Sequence, residues 1–359
     1  MRSAAACRLH AVVAAAGMTA LLVAAGTLAV GLAVALVGCG PFSDSRSADV
    51  DLLPPQVQSV RAEGPAEVSV TFDEEASLCQ GARVSPPLAV TAAPDPQDAR
   101  RVTLRGERQV PGQRYVMEAE ARDRRGNTAS FAAEFYGYNG RVPRLLINEI
   151  TPRGSDSHPD TVEIKALTDG NLGGAVLFFG SPHSNDARLV FPPLEVKAGA
   201  FIVVHLKPTG DPSEVEETTD PAASGGKDAS STAWDLWMKD SPGLPGSNGA
   251  LSLCDRLGGA CLDAVLWSNR TSQSDDGYGG FGSEQTRTRA EELAQLGAWP
   301  ASGTRISPED AVNPEGSTAT RSLCRSSASA DTDTAADWHI VPNRKASMGA
   351  DNSDEVYAP

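Results

Sequence analysis

Two glutamates are the residues whose placement first raises the question of chemistry. Glu149 lies in the apolar run Arg144 to Ile150 (RLLINEI), Glu163 lies in Thr161 to Leu167 (TVEIKAL), and a polar loop joins the two runs. If the runs pair as neighbouring strands, their carboxylates come together, and paired carboxylates divide acid and base roles when one sits in a cleft with a raised pKa. Hydrogen bonding that holds strand ends is the competing role. In the joining loop His158 stands with Asp156 and Asp160 and could hold a cation, although Pro159 stiffens this short run. His158, His183, His205 and His339 are scattered with no HExxH or HxH spacing, so surface or capping roles are expected for them. Asp275 and Asp276 before Gly277 lack the ligand spacing of a calcium loop, and no GxSxG, P-loop or GxGxxG occurs. On residue types alone, no catalytic side chain, no metal ligand and no cofactor is expected.

The elements that must position these residues read as strands. In Thr161 to Leu167, Val162, Ile164 and Ala166 alternate with Thr161, Glu163 and Lys165, the period of a half-buried strand. Upstream, short runs recur between Pro, Gly and Asp signals: Gln56 to Arg61, Glu67 to Phe72, Arg83 to Thr91, Arg101 to Leu104, Tyr115 to Ala121 and Ser130 to Tyr136. Several short strands with turn signals and no helical period indicate a β-sandwich. One stretch departs from this pattern. Across 283–297, Ala290, Leu293, Ala294 and Gly297 fall at helical spacing, and Gly297 is placed to end a short helix that carries Trp299 inward.

At 359 residues with 40% hydrophobic content, the chain is long enough for two domains. Met1 to His10 carries Arg2 and Arg8, and the 27 residues from Ala11 to Val37 carry no charge, which reads as an export segment. Losing those two arginines takes the formal charge from -15 to -17, which argues against nucleic acid or an anionic membrane surface as partner. The segment ends in Leu36-Val37-Gly38-Cys39, which resembles the bacterial lipobox. That resemblance implies a signal peptide over 1–38, cleavage after Gly38, and fatty acylation (palmitate) of Cys39. Two or more acyl chains on one cysteine hold a protein firmly to a membrane, where one chain is marginal. An uncleaved helical anchor is the alternative, since about 20 apolar residues span a bilayer. Either way, the chain beyond Cys39 is expected outside the cytoplasm, in the bacterial cell envelope, facing the periplasm or the cell surface. Residues 39–54, rich in Ser, Asp and Ala, suit a flexible tether.

Two family resemblances follow. Pro-x-Val-x-Ser-Val at 55–60, Val-x-Val-x-Phe at 68–72, Pro-Gly-Gln-Arg-Tyr-Val at 111–116 and Asp-Arg-Arg-Gly-Asn at 123–127 resemble bacterial Ig-like domains, over 55–140. Leu146-Ile147-Asn148-Glu149-Ile150, Val162-Glu163-Ile164 and Leu172-Gly173-Gly174 resemble the lamin tail domain. So do the Lys197-Ala198-Gly199 turn before an apolar strand, NGALSLCDRLGGACLDAVLWS at 248–268, and the ending Asp337-Trp338, Met348-Gly349 and Asn352. This second resemblance covers 141–352, leaves 353–359 as a tail, and implies an Ig-like sandwich used for binding or scaffolding, with Trp338 in its core. In that family Glu149 and Glu163 occupy ordinary positions, which implies a structural role for both. The expected fold class is therefore all-β, with two immunoglobulin-like sandwiches in tandem. Residues 207–233, with three prolines and the acidic Glu214, Glu216 and Glu217, are expected as a mobile insertion: a tolerated surface loop or a partner-binding one.

Once Cys7 leaves with the signal and Cys39 takes lipid, Cys79, Cys254, Cys261 and Cys324 remain. Cys254 and Cys261 flank a Gly-Gly hairpin turn, where opposed positions come within disulfide reach, and closing this eight-residue loop would stabilise by roughly 2.5 kcal/mol. Free thiols or a Cys254 to Cys324 pair are the alternatives, and no CxxC spacing supports zinc. These observations together imply a membrane-anchored lipoprotein that acts as a non-catalytic binding, adhesion or scaffolding module toward a protein or an envelope polymer. The competing expectation is an exported hydrolase of nuclease or phosphatase type, or its substrate-targeting subunit, because lamin tail domains accompany such enzymes.

Overall fold

The computed structural model describes residues 51–359. The export segment, Gly38, Cys39 and the tether up to residue 50 lie outside the described residues. Residues 51–359 form one compact unit containing two large hydrophobic cores and a small third cluster, and the architecture is nearly all β.

Eight strands build the first core: β1 (Val57–Gly64), β2 (Glu67–Phe72), β3 (Ala76–Leu78), β4 (Arg83–Ser85), β5 (Val90–Pro94), β6 (Arg101–Gly106), β7 (Arg114–Asp123) and β8 (Thr128–Tyr136). One sheet runs β1-β2-β6-β5; in the other, β3 and β4 pair with β7, which also pairs with β8. The alternating residues Val68, Val70 and Phe72 meet Tyr115, Met117 and Phe135 between the sheets, as the period-two pattern requires. The run expected from Arg83 to Thr91 is two strands. Pro86 and Pro87 fall between them, and proline has no N–H to give a ladder.

The second core is larger. A six-stranded sheet runs β16 (Trp234–Met238), β15 (Phe201–Leu206), β10 (Thr161–Ala166), β9 (Leu145–Ile150), β19 (Leu323–Arg325) and β20 (Trp338–Ile340). A four-stranded sheet runs β13 (Asn185–Val190), β12 (Val176–Gly180), β17 (Asn248–Cys254) and β18 (Cys261–Ser268), and a short pair joins β11 (Gly170–Asn171) to β14 (Glu195–Val196). Ile147, Ile164, Val204, Leu251 and Val265 fill the space between these sheets, together with Trp267, Trp299 and Trp338.

The one α-helix among the described residues, α1 (Glu284–Gln295), begins where Ser283 accepts the Thr286 N–H and ends ahead of Gly297, whose φ of 71° suits a residue without Cβ. Its buried Ala290 and Leu293 join the core, and Arg289 donates to the Ser184 carbonyl at 2.9 Å. Trp299 then turns inward and donates to the Asp310 carbonyl at 3.0 Å. Among the described residues no helix is long and apolar enough to cross a membrane.

Strand β10 corrects one expectation. Alternation predicts a half-buried strand, yet Thr161 and Glu163 are as buried as Val162 and Ile164. The Glu163 carboxylate is covered by residues 347–352, described below.

Candidate functional site

Glu163 stands directly opposite Glu149 across β10 and β9. Both carboxylates are buried and both are consumed by partners far along the chain. Glu149 accepts from the Ser347 N–H at 3.0 Å, from the Ser347 hydroxyl at 2.8 Å and from the Ser322 hydroxyl. Glu163 accepts from the Asn148 side chain at 2.7 Å and from the Gly349 N–H. Burial pushes Glu149 upward, and burial together with the facing Glu149 pushes Glu163 up to about 8. Asn352 completes the closure: its amide donates to the carbonyls of Asn148 at 3.1 Å and Arg325 at 2.9 Å, and its oxygen accepts from Asn148 at 3.1 Å. Residues 347–352 thus form a strap that seals the paired carboxylates from solvent.

Below the strap lies a buried cation. The Arg325 guanidinium, fully buried, donates to Asp263 at 2.9 Å, to the Ile147 carbonyl at 2.9 Å and to the Ala330 carbonyl at 2.9 Å, and it lies over the Trp338 ring at 5.0 Å. Asp263 also accepts the Ile147 N–H at 2.6 Å; burial pushes its carboxyl up to about 7 against the pull of Arg325. Nothing in the spacing of Arg325 and Asp263, 62 residues apart, marks them as partners.

The histidines divide. His205 is not a surface residue: it is 2% exposed, bonds Asp235 at 2.8 Å and stacks on Trp237 with ring centres 4.0 Å apart. His158 turns away from Asp156 and Asp160 and pairs with Asp228 at 3.2 Å, while Asp160 accepts the Gly154 and Leu244 N–H groups. His158 and Asp160, the loop residues that with Asp156 could have held a cation, are therefore engaged separately rather than around one point. His183 pairs with Glu292 at 2.8 Å on the surface.

Part of the insertion at 207–233 bonds to the sheet. Glu217, 1% exposed, accepts the N–H groups of Asp235 and Ser224, and Glu216 accepts the Trp237 N–H at 3.1 Å. These acidic residues cap the open edge of β16, whose N–H groups would otherwise face outward. The same segment lends Asp228 to an open cleft of about 410 Å³ lined also by Thr151, His158, Thr161, Arg344 and Met348.

Cys79, Cys254, Cys261 and Cys324 are free thiols, so the disulfide expected between Cys254 and Cys261 is not formed in this structure. Cys254 faces Cys261 across the β17–β18 hairpin, as the turn predicts. Cys324 lies in the other sheet beside His339, 3.7 Å from its Nε2, which separates it from Cys254. Among the described residues two sets of carboxylates come close enough to share a cation, Asp51 with Glu74 and Asp123, and Asp263 with Asp331 and Asp333. The second already holds the Arg325 charge.

Residues 143–340 match the family model described as "TP_1001_2nd: protein second domain". The chain belongs to that family. The matched second domain contains Glu149, Glu163, both hairpin cysteines and Trp338, while Ser347, Gly349 and Asn352 of the strap lie just beyond it. An uncharacterized protein of Treponema pallidum (strain Nichols) is 28% identical over 159 residues, which is 44% of this chain and 40% of that protein. The chain therefore spans well under half the length of this relative. A solved structure, dimeric latent PorU from Porphyromonas gingivalis, is 13% identical over 60% of this chain and 19% of its own, with a TM-score of 0.19, too low to support a structural argument.

Proposed function

We propose that this chain is a lipid-anchored envelope protein, held outside the cytoplasm through Cys39, that binds or scaffolds a protein or an envelope polymer without catalysis. In this reading the first sandwich is an Ig-like spacer and the second a lamin-tail-like binding module. The observation that carries it is the sealing of Glu149 and Glu163. The carboxylate pair that the pairing of β9 with β10 creates is occupied by the chain's own Ser347 and Gly349 N–H groups, so a substrate has no access to it. Acid/base catalysis needs a carboxyl within hydrogen-bond reach of its substrate. The lipobox residues Leu36 to Cys39 support the anchor, and the formal charge of -15 supports a partner other than nucleic acid. The open cleft beside His158 and Arg344 is the surface we assign to partner contact.

Crosslinking in intact cells with mass identification of neighbours tests the binding role, and labelled fatty acid with globomycin tests the anchor. Absence of lipid on the product removes the anchor. A nuclease or phosphatase activity of the purified chain that is lost in Glu149→Gln or Glu163→Gln, with folding retained, overturns the non-catalytic reading.

A further inference from the structure

The β17–β18 hairpin holds the two cysteines in unequal surroundings. Cys254 is 1% exposed and packs with Val176 and Phe178, while Cys261 is half-buried, so the second residue is the more accessible of the two. The two residues are paired across the hairpin just beyond a register shift between Leu253 and Cys254, and the Cys261 sulfur faces the Asp263 carbonyl at 3.5 Å. Directly opposed residues of an antiparallel pair have the Cα separation that a disulfide spans.

The turn between them does a second job. Gly258, at φ 64°, passes so close to Arg61 of β1 that an added Cβ would stand 3.0 Å from the guanidinium. Asp255 to Leu257 line one crevice with Arg61 and Tyr138, so the turn sits at the joint between the two cores.

We propose that Cys261 is a site of thiol–disulfide exchange, the entry sulfur through which an external disulfide converts the Cys254/Cys261 dithiol into a bond that fixes this turn at the joint. The Cys261 thiolate attacks one sulfur of oxidised glutathione or of an oxidoreductase disulfide, forming a mixed disulfide and releasing one thiolate. Cys254 then loses its proton and attacks the Cys261 sulfur, and the second thiolate leaves and takes that proton. Two cysteine thiols are oxidised by two electrons, and one disulfide becomes two thiols. The neighbouring hydrogen bonds hold the Cys261 thiol below its ordinary pKa, while its partner and burial push Cys254 up, the order this sequence of attacks needs. Encounter with an oxidant in the cell rests on the proposed export; the exchange itself does not.

The test uses the full chain, purified in detergent and titrated with oxidised glutathione. Trypsin cuts after Arg256, between the two cysteines, so the bond appears as a linked pair of peptides, 240–256 with 257–270. We expect that pair in the wild type, a single glutathione on Cys261 in Cys254→Ser, and at least about tenfold slower modification of Cys254 in Cys261→Ser. Amide exchange of 255–260 should slow on oxidation. Wild-type protein that keeps both thiols free, or links either one to Cys79 or Cys324, overturns the proposal. So does a Cys261→Ser chain modified as fast as Cys254→Ser. Failure of lipid attachment would leave all these readouts unchanged.

Discussion

Glu149 and Glu163 face each other across two central strands, and each receives a backbone N–H from the C-terminal strap, Ser347 for the first and Gly349 for the second. Two like charges at one buried place are tolerable because several donors converge on them and because burial favours the protonated form. The pair therefore links stability to pH.

For Glu163 the folded pKa of about 8 lies above the ordinary 4.5. Its contribution to stability is fully present below pH 4.5 and is lost as pH rises through 8. Glu163→Gln cannot titrate, so the stability of the wild type relative to this variant should fall between pH 5 and 9. Urea unfolding of both chains at several pH values checks this. A difference that stays flat across the range, or grows with pH, contradicts the assignment.

The strap depends on Asn352, which is 5% exposed and bridges β9 to the carbonyl of Arg325. Asn352→Ala leaves buried carbonyls without their donor and should cost about 1–3 kcal/mol. The loss should appear in the denaturant midpoint of the second core, with Ser347 and Gly349 amides exchanging faster. Unchanged exchange at those two amides would show that the strap does not need this residue.

Removing Arg325 leaves Asp263 buried without its countercharge, so Arg325→Met should destabilise by about 3–5 kcal/mol. Protonation of Asp263 relieves that charge, so the loss should be larger at pH 9 than at pH 5. Adding Asp263→Asn should recover part of it, a non-additive result expected for contacting residues. Strict additivity in denaturant unfolding would count against the pairing.

Much of this fold is legible in the residues. Glu67 to Phe72 is a strand with the bounds its alternation indicates, and the Gly-Gly turn between Cys254 and Cys261 makes the hairpin it signals. Ala290, Leu293 and Gly297 mark a helix within two residues of its ends. The pairing of Glu149 with Glu163 follows from neighbouring strands. Their occupants do not: Ser347 lies 198 residues from Glu149, Gly349 lies 186 from Glu163, and each contributes a backbone N–H, which no side-chain pattern announces. His205 reads as a solitary histidine because Asp235 reaches it only through the parallel pairing of β15 with β16. The acidic run at 214–217 reads as a solvated loop because composition reports charge and not the strand edge it covers.

That edge carries the last prediction. Glu216 and Glu217 accept the N–H groups of Trp237 and Asp235 along β16, the outermost strand of the six-stranded sheet. Replacing both by alanine removes the acceptors and two charges that discourage another chain from approaching. An unpaired strand edge is a template for pairing with a second copy. The double variant should lose about 1–3 kcal/mol of stability and should self-associate in proportion to concentration, measured by sedimentation or light scattering. Glutamine at both positions keeps an acceptor oxygen at each site without the charge, so it separates the two causes. If the glutamine form stays monomeric, the hydrogen-bond cap protects the edge. If it associates as the alanine form does, charge repulsion does. A double alanine variant that remains monomeric at high concentration would mean that the rest of the insertion covers the edge without these carboxylates.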